Sequence, residues 1–156
     1  MHSIRQVSMR MLNEFEKTER FLKEKLLGAS LAGFQISSMV IVLDVIVSER
    51  NLSKALYVSL CGHISLIGER GAVDDRGEVI RSLYALIGED ISDLQIERSG
   101  RLSLALKDTW YAVDREEDGF GDITWSVTSD SPSVFYPQEW AVCLDDTNTL
   151  VVSVDE

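Results

Sequence analysis

Leu27-Gly28-Ala29-Ser30-Leu31-Ala32-Gly33-Phe34-Gln35-Ile36 and Ile87-Gly88-Glu89-Asp90-Ile91-Ser92-Asp93-Leu94-Gln95-Ile96 stand 60 positions apart and share one pattern. Each opens on an aliphatic residue and a glycine, places apolar residues at the same later positions and closes on Gln-Ile. Each also follows an amphipathic segment that ends in Leu-Leu or Leu-Ile. The pattern reads as a helix, a glycine stop and a strand, used twice. Glycine suits the stop because a helix that runs out at a left-handed residue places no Cβ against the following carbonyl. Ten aligned positions, six of them alike, fit either a duplication or the shared demands of two helix-to-strand junctions.

Before the first junction a helix is expected over about Ser8 to Leu27, and Ile4, Val7, Met11, Phe15, Leu22 and Leu26 fall on one helical stripe through and just ahead of it, with Thr18 at the intervening step. Glu and Lys cover its other side, and Glu19 and Lys23 form a pair four residues apart. Beyond Gly28 the chain becomes β-rich. Leu31 to Ser37 and the β-branched run Met39 to Val47 read as strands, the second interrupted by Asp44, which points to an edge or to solvent. Ser48 to Ser53 reads as a turn. Ala55 to Leu60 and His63 to Ile67 are expected to form a hairpin about Cys61-Gly62, and Glu69 to Gly77 to form a loop. A second helix is expected over Arg76 to Ile87, with Val79, Ile80, Leu83, Leu86 and Ile87 apolar and Gly88 ending it.

Strands then follow quickly at Ile91 to Glu97, Leu102 to Lys107, Trp110 to Val113 and Ile123 to Thr128. Trp140 to Leu144 and Leu150 to Val154 make a closing hairpin. The fold class is α+β: a largely antiparallel, curved or barrel-like sheet or sheets, an N-terminal amphipathic helix and a second short helix. The 156 residues fit a single domain over 1–156. It divides into two tandem helix-Gly-strand halves, about 8–68 and 76–128, plus the C-terminal hairpin.

Charge is distributed unevenly. Met1 to Leu60 holds 8 basic and 6 acidic residues, whereas Cys61 to Glu156 holds 7 and 20. From Asp108 onward Arg115 is the only basic residue among 12 acidic ones. A surface of this kind repels phosphate backbones and disfavours nucleic acid as a partner. It serves either as a solvating surface or as a docking face for a basic protein. The densest acidic stretch is Asp114-Arg115-Glu116-Glu117-Asp118-Gly119-Phe120-Gly121-Asp122, with Asp145-Asp146 in the final hairpin. The candidate partner-binding residues are therefore Asp114, Glu116, Glu117, Asp118, Phe120, Asp122, Asp145 and Asp146.

The chain lacks a run of the roughly 18 to 20 apolar residues that a spanning helix needs, and it lacks a signal-peptide pattern, so a cytoplasmic location without membrane contact is expected. Cys61 and Cys143 form no metal pattern and read as buried free thiols. His63 has no ligand partner at a metal-binding spacing. Nucleophile elbows, zinc-protease helices, phosphate loops and calcium loops are all missing, so the expected protein is not an enzyme and uses no cofactor and no metal.

Leu86-Ile87-Gly88 with Gly-x-x-Ile-x-x-Leu-x-Ile, then Gly100 to Asp108, Trp110 to Val113, the acidic loop and Thr124-Trp125-Ser126-Val127, resembles small two-half α+β immunity proteins. Those proteins guard bacteria against polymorphic or contact-dependent growth-inhibition toxins. The chain departs from their pattern at Thr109, where a second glycine is expected, and in its last hairpin. The resemblance implies non-enzymatic neutralisation of a cognate basic toxin, a nuclease being the expected kind, by an acidic surface that covers its active site. An acidic secretion chaperone or adaptor is the alternative. A β-barrel holding a small ligand is a further one, with Trp110, Tyr111, Trp125, Phe135, Tyr136 and Trp140 lining its cavity.

Overall fold

The computed structural model describes residues 2–37, 40–49, 52–68, 71–116, 123–129, 139–145 and 147–154. The element order is α1 (His2–Leu26), β1 (Ser30–Ser37), β2 (Val40–Glu49), β3 (Leu52–Leu60), β4 (His63–Gly68), β5 (Gly71–Val73) and α2 (Arg76–Ala85). It continues with β6 (Ile91–Ile96), β7 (Leu102–Leu106), β8 (Thr109–Asp114), β9 (Ile123–Ser129), β10 (Trp140–Asp145) and β11 (Leu150–Val154). The class is α+β, with two antiparallel sheets that do not close into a barrel. One sheet runs β1-β2-β3-β9-β10-β11 and the other β5-β4-β8-β7-β6.

The two orders are related by a two-fold pattern. Replacing β1, β2, β3, β9 and β10 by β6, β7, β8, β4 and β5 turns the first sheet into the second, and β11 alone has no counterpart among the described strands. Even an irregularity repeats: the register of β1 on β2 shifts between Leu31 and Gly33, and that of β6 on β7 between Ile91 and Asp93. A bulge adds local twist and bends its strand. The bulge falls at matched positions of the two first hairpins.

The glycine junctions lie against each other at the centre of this pattern. Gly28 and Gly88 take φ of +86° and +96°, conformations that L side chains avoid. Gly28 N–H donates to Ile91 C=O at 3.0 Å, and Gly88 N–H donates to Leu31 C=O at 2.8 Å. Leu31 N–H and Ile91 N–H reciprocate to Glu89 C=O and Ala29 C=O at 3.0 and 2.8 Å. Each glycine thus frees the chain to leave its helix and immediately to pair with the other copy of the motif.

One apolar cluster fills the interior. The strand residues that face it follow the period-2 rule: Ile41, Leu43 and Val45 on β2, Leu56, Val58 and Leu60 on β3, and Leu102, Leu104 and Leu106 on β7. Each fully buried side chain of this kind contributes about 1.5 to 3 kcal/mol. Helix α1 adds Phe15, Leu22 and Leu26, while Phe21 meets Trp140 edge-on with ring centroids 5.2 Å apart. It lies along β6, an edge strand, where Glu19 Oε1 accepts the Ile96 N–H at 2.8 Å and occupies a donor that would otherwise invite another strand. Helix α2 starts at Asp75, whose side chain accepts the Glu78 N–H at 3.0 Å as an N-cap. It buries Val79 and Leu83, and its Ser82 hydroxyl bonds Tyr111 Oη at 2.6 Å.

Several sequence expectations need correction. β3 and β4 do not form a hairpin about Cys61-Gly62: β3 pairs with β9 and β4 with β8, in different sheets. The Cys61 and Gly62 N–H groups both donate to Thr124 C=O, at 3.0 and 2.8 Å, so the chain crosses from sheet to sheet at this point. A Cβ on Gly62 would overlap the Asp114 carbonyl oxygen, which explains a glycine in a turn without positive φ. The expected loop over Glu69 to Gly77 contains β5, paired with β4. Helix α2 stops at Ala85, which leaves Ile87 exposed rather than on an apolar face. Strands β2 and β3 extend into the expected turn at Ser48 to Ser53, as far as Glu49 and from Leu52.

Candidate functional site

The end of β8 and the turn from β10 into β11 lie at the same end of the molecule. The acidic stretch leaves β8 at Asp114 and rejoins the sheet framework at Ile123, which lies opposite Asp145. The turn between β6 and β7 reaches the same place. Gly100, at φ +91°, sits where a Cβ would overlap the Asn148 side chain, and its carbonyl accepts the Trp125 indole N–H at 2.8 Å. Trp125 is fully buried, so this bond satisfies an indole donor that water cannot reach and fixes the turn to the core.

Of the acidic candidates, the structure brings Asp114, Glu116 and Asp145 to this end. Asp114 is half-buried and forms an ion pair with Arg101, Nε to Oδ2 3.4 Å; partly exposed pairs of this sort contribute about 0 to 1 kcal/mol. Glu116 is exposed. Asp145 has a structural duty in the last hairpin, where its Oδ1 accepts the Thr147 hydroxyl at 2.7 Å and the Thr147 and Thr149 N–H groups at 2.9 and 2.8 Å. The Thr147 hydroxyl, followed by these N–H groups and the nearby Arg115 charge, holds the Asp145 carboxyl below the usual carboxylate range. Glu117, Asp118, Phe120, Asp122 and Asp146 lie outside the described residues.

Beside this end, a cavity of about 110 Å³ opens between the sheets and the start of α2. Its floor is apolar, from Ile41 of β2, Ile64 of β4 and Val79 of α2. The rim carries His63, Asp74, Arg76 and Glu116. His63 Nε2 lies 3.4 Å from Asp74 Oδ2, a partner that sequence spacing did not offer because β5 intervenes. Among the described residues no group of three His, Cys, Asp or Glu side chains is placed to hold a metal ion.

The remaining candidates have packing roles. Tyr111, Trp125 and Trp140 belong to the core cluster; Tyr111 borders a cavity of about 10 Å³, room for no more than a water molecule, and Trp110 is half-buried on the face opposite to Tyr111. Phe135 and Tyr136 lie outside the described residues. Asp44 stands half-buried in the middle of β2, with Oδ2 accepting from Gln35 Nε2 at 3.3 Å, rather than at an edge. Cys61 and Cys143 are free thiols. Burial, and then the neighbouring Cys143, pushes the Cys61 thiol up to about 11, and burial followed by Asp145 raises that of Cys143. Strand β9 separates them, since Cys143 lies opposite Ser126 and Cys61 bonds Thr124. Two strand spacings are about 9 to 10 Å, beyond the reach of a disulfide.

Among the described residues no helix is long and apolar enough to cross a membrane. The chain matches no family model, no curated protein and no solved structure.

Proposed function

We propose that the chain is a non-enzymatic binding protein of the immunity type, which neutralises a cognate basic toxin by covering its active site with the acidic end described above. The observation that carries the reading is the convergence of Asp114, Glu116 and Asp145 from two sheets, in a chain whose last 49 residues hold 12 acidic residues and one basic one. A fixed array of carboxylates presents to a nuclease the charge pattern of its own phosphate substrate. It also steers association, because opposite potentials raise the encounter rate.

The framework supports such a role in a second way. Asp114 ends a strand paired on both sides and Asp145 is held by three hydrogen bonds, so both carboxylates are presented without a large ordering cost on binding. The cytoplasm is the compartment in which such a protein meets its toxin. Co-purification with the product of the adjacent gene, followed by a protection assay in cells exposed to that product, tests the reading. Capture that falls with salt, together with protection, is the expected outcome; an adaptor would instead bind a secretion substrate and confer no protection.

A further inference from the structure

We propose that the cavity beside the acidic end is the anchor point of the interface, and that it takes a lysine or arginine side chain of the basic partner. This inference rests on the reading above for the existence of a basic protein partner, but its chemistry stands on the cavity itself.

The lining of the cavity suits a long cationic side chain. Such residues bury an aliphatic stem against apolar surface and keep the charged head near water. Ile41, Ile64 and Val79 form the apolar floor, and the exposed Asp74 and Glu116 carboxylates stand at the open rim. The charges on the rim are unevenly committed. His63 and Asp74 face each other at 3.4 Å, and Arg76 has an interaction of its own. Glu116 makes no ion pair or hydrogen bond among the described residues, which leaves the rim with an uncommitted negative charge. Glu116 also begins the acidic run that continues in sequence through Glu117, Asp118 and Asp122.

A pocket next to a charged face is where binding energy concentrates. Interface hot spots sit in pockets that desolvate one anchor, while surrounding charges contribute mainly to encounter. The cavity joins residues from both sheets, α2 and the strand-joining stretch after β8, so it is present only in the folded chain.

Methyl-resolved NMR titration of the full chain tests the assignment, with N-acetyl-lysine methylamide as probe and the norleucine and glutamate analogues as comparisons. The lysine compound is expected to shift the Ile41, Ile64 and Val79 methyls and to bind about three- to five-fold more tightly than norleucine, the upper part of the range an exposed ion pair supplies. Glu116→Gln, a change at an exposed position, is expected to reduce lysine binding to the norleucine level. Equal binding of norleucine, preference for the glutamate compound, or absence of methyl shifts would overturn the assignment. Probe failure with retained salt-dependent capture of the toxin removes the anchor and leaves the acidic face. Probe binding with no basic partner upholds the anchor chemistry and removes the reading above.

Discussion

Ser30 Oγ donates a 2.7 Å hydrogen bond to Asp90 Oδ1 across sixty positions of sequence, and the two residues also face each other in an isolated antiparallel bridge. They occupy the same position in the two glycine motifs. The point at which the pattern superposes on itself is therefore a physical contact, and the two halves are interlocked there and again where β4 pairs with β8 and β9 with β3.

Replacing Gly28 or Gly88 by Ala should destabilise the chain by similar amounts, about 1 to 3 kcal/mol each, because the cost lies in the positive φ. At both positions a Cβ meets nothing within 4 Å, so no clash adds to that cost. Urea unfolding of the two variants checks it. A near-zero effect at either position would show that the junction relaxes.

Gly62→Ala should cost more than either, at or above the upper end of the roughly 1 to 3 kcal/mol typical of overpacking, although Gly62 has no positive φ. The atom in the way is the Asp114 carbonyl oxygen, a backbone group at the crossing of the two sheets that cannot swing aside as a side chain would. The same denaturation series measures the difference, and a variant as stable as the parent would contradict the crossing geometry.

How much of this was legible in the sequence follows from range. Local rules found the amphipathic α1, the glycine stops at Gly28 and Gly88 and the closing hairpin, since each rests on neighbours a few residues apart. The Cys61-Gly62 crossing was read as a hairpin because a short glycine turn between two strands looks the same whether the strands pair or part. What separates the cases is Thr124 and Asp114, more than fifty residues away. The acidic end was only half visible: composition marked the carboxylates, but their grouping depends on β9 lying between β3 and β10. The cavity carried no sequence signal, because its floor comes from three separate elements.

The Cys61 thiol, with its pKa raised to about 11 by burial, should react with a thiol reagent at pH 8 about 100-fold more slowly than the same cysteine in the unfolded chain. The linked effect on stability has a definite sign. The unfolded thiol ionises first, so this contribution is intact below the ordinary thiol range and is lost as pH rises toward 11. Timed alkylation with and without urea checks the rate. Equal rates would place the thiol at the surface.

Asp145 should show the opposite dependence. Its folded pKa is lowered, so the stability it lends the β10–β11 turn is present above the unfolded value of about 3.9 and is lost as pH falls through the lower, folded one. The amide shifts of Thr147 and Thr149 should titrate together with a midpoint below about 3.9, and Asp145→Asn should abolish the transition. A midpoint at or above the ordinary carboxylate value would mean that the hydrogen bonds do not hold the charged form.

The most direct test of the central claim is the association rate of the chain with the product of its adjacent gene, measured as a function of salt for the parent and for a charge-reversed variant at Glu116, Glu117, Asp118 and Asp122. The account predicts fast association at low salt that slows by an order of magnitude or more as screening shortens to about 8 Å near 0.15 M, with a slower rate, weaker salt dependence and lost protection in the variant. A rate and a degree of protection that change with neither salt nor charge reversal would contradict it.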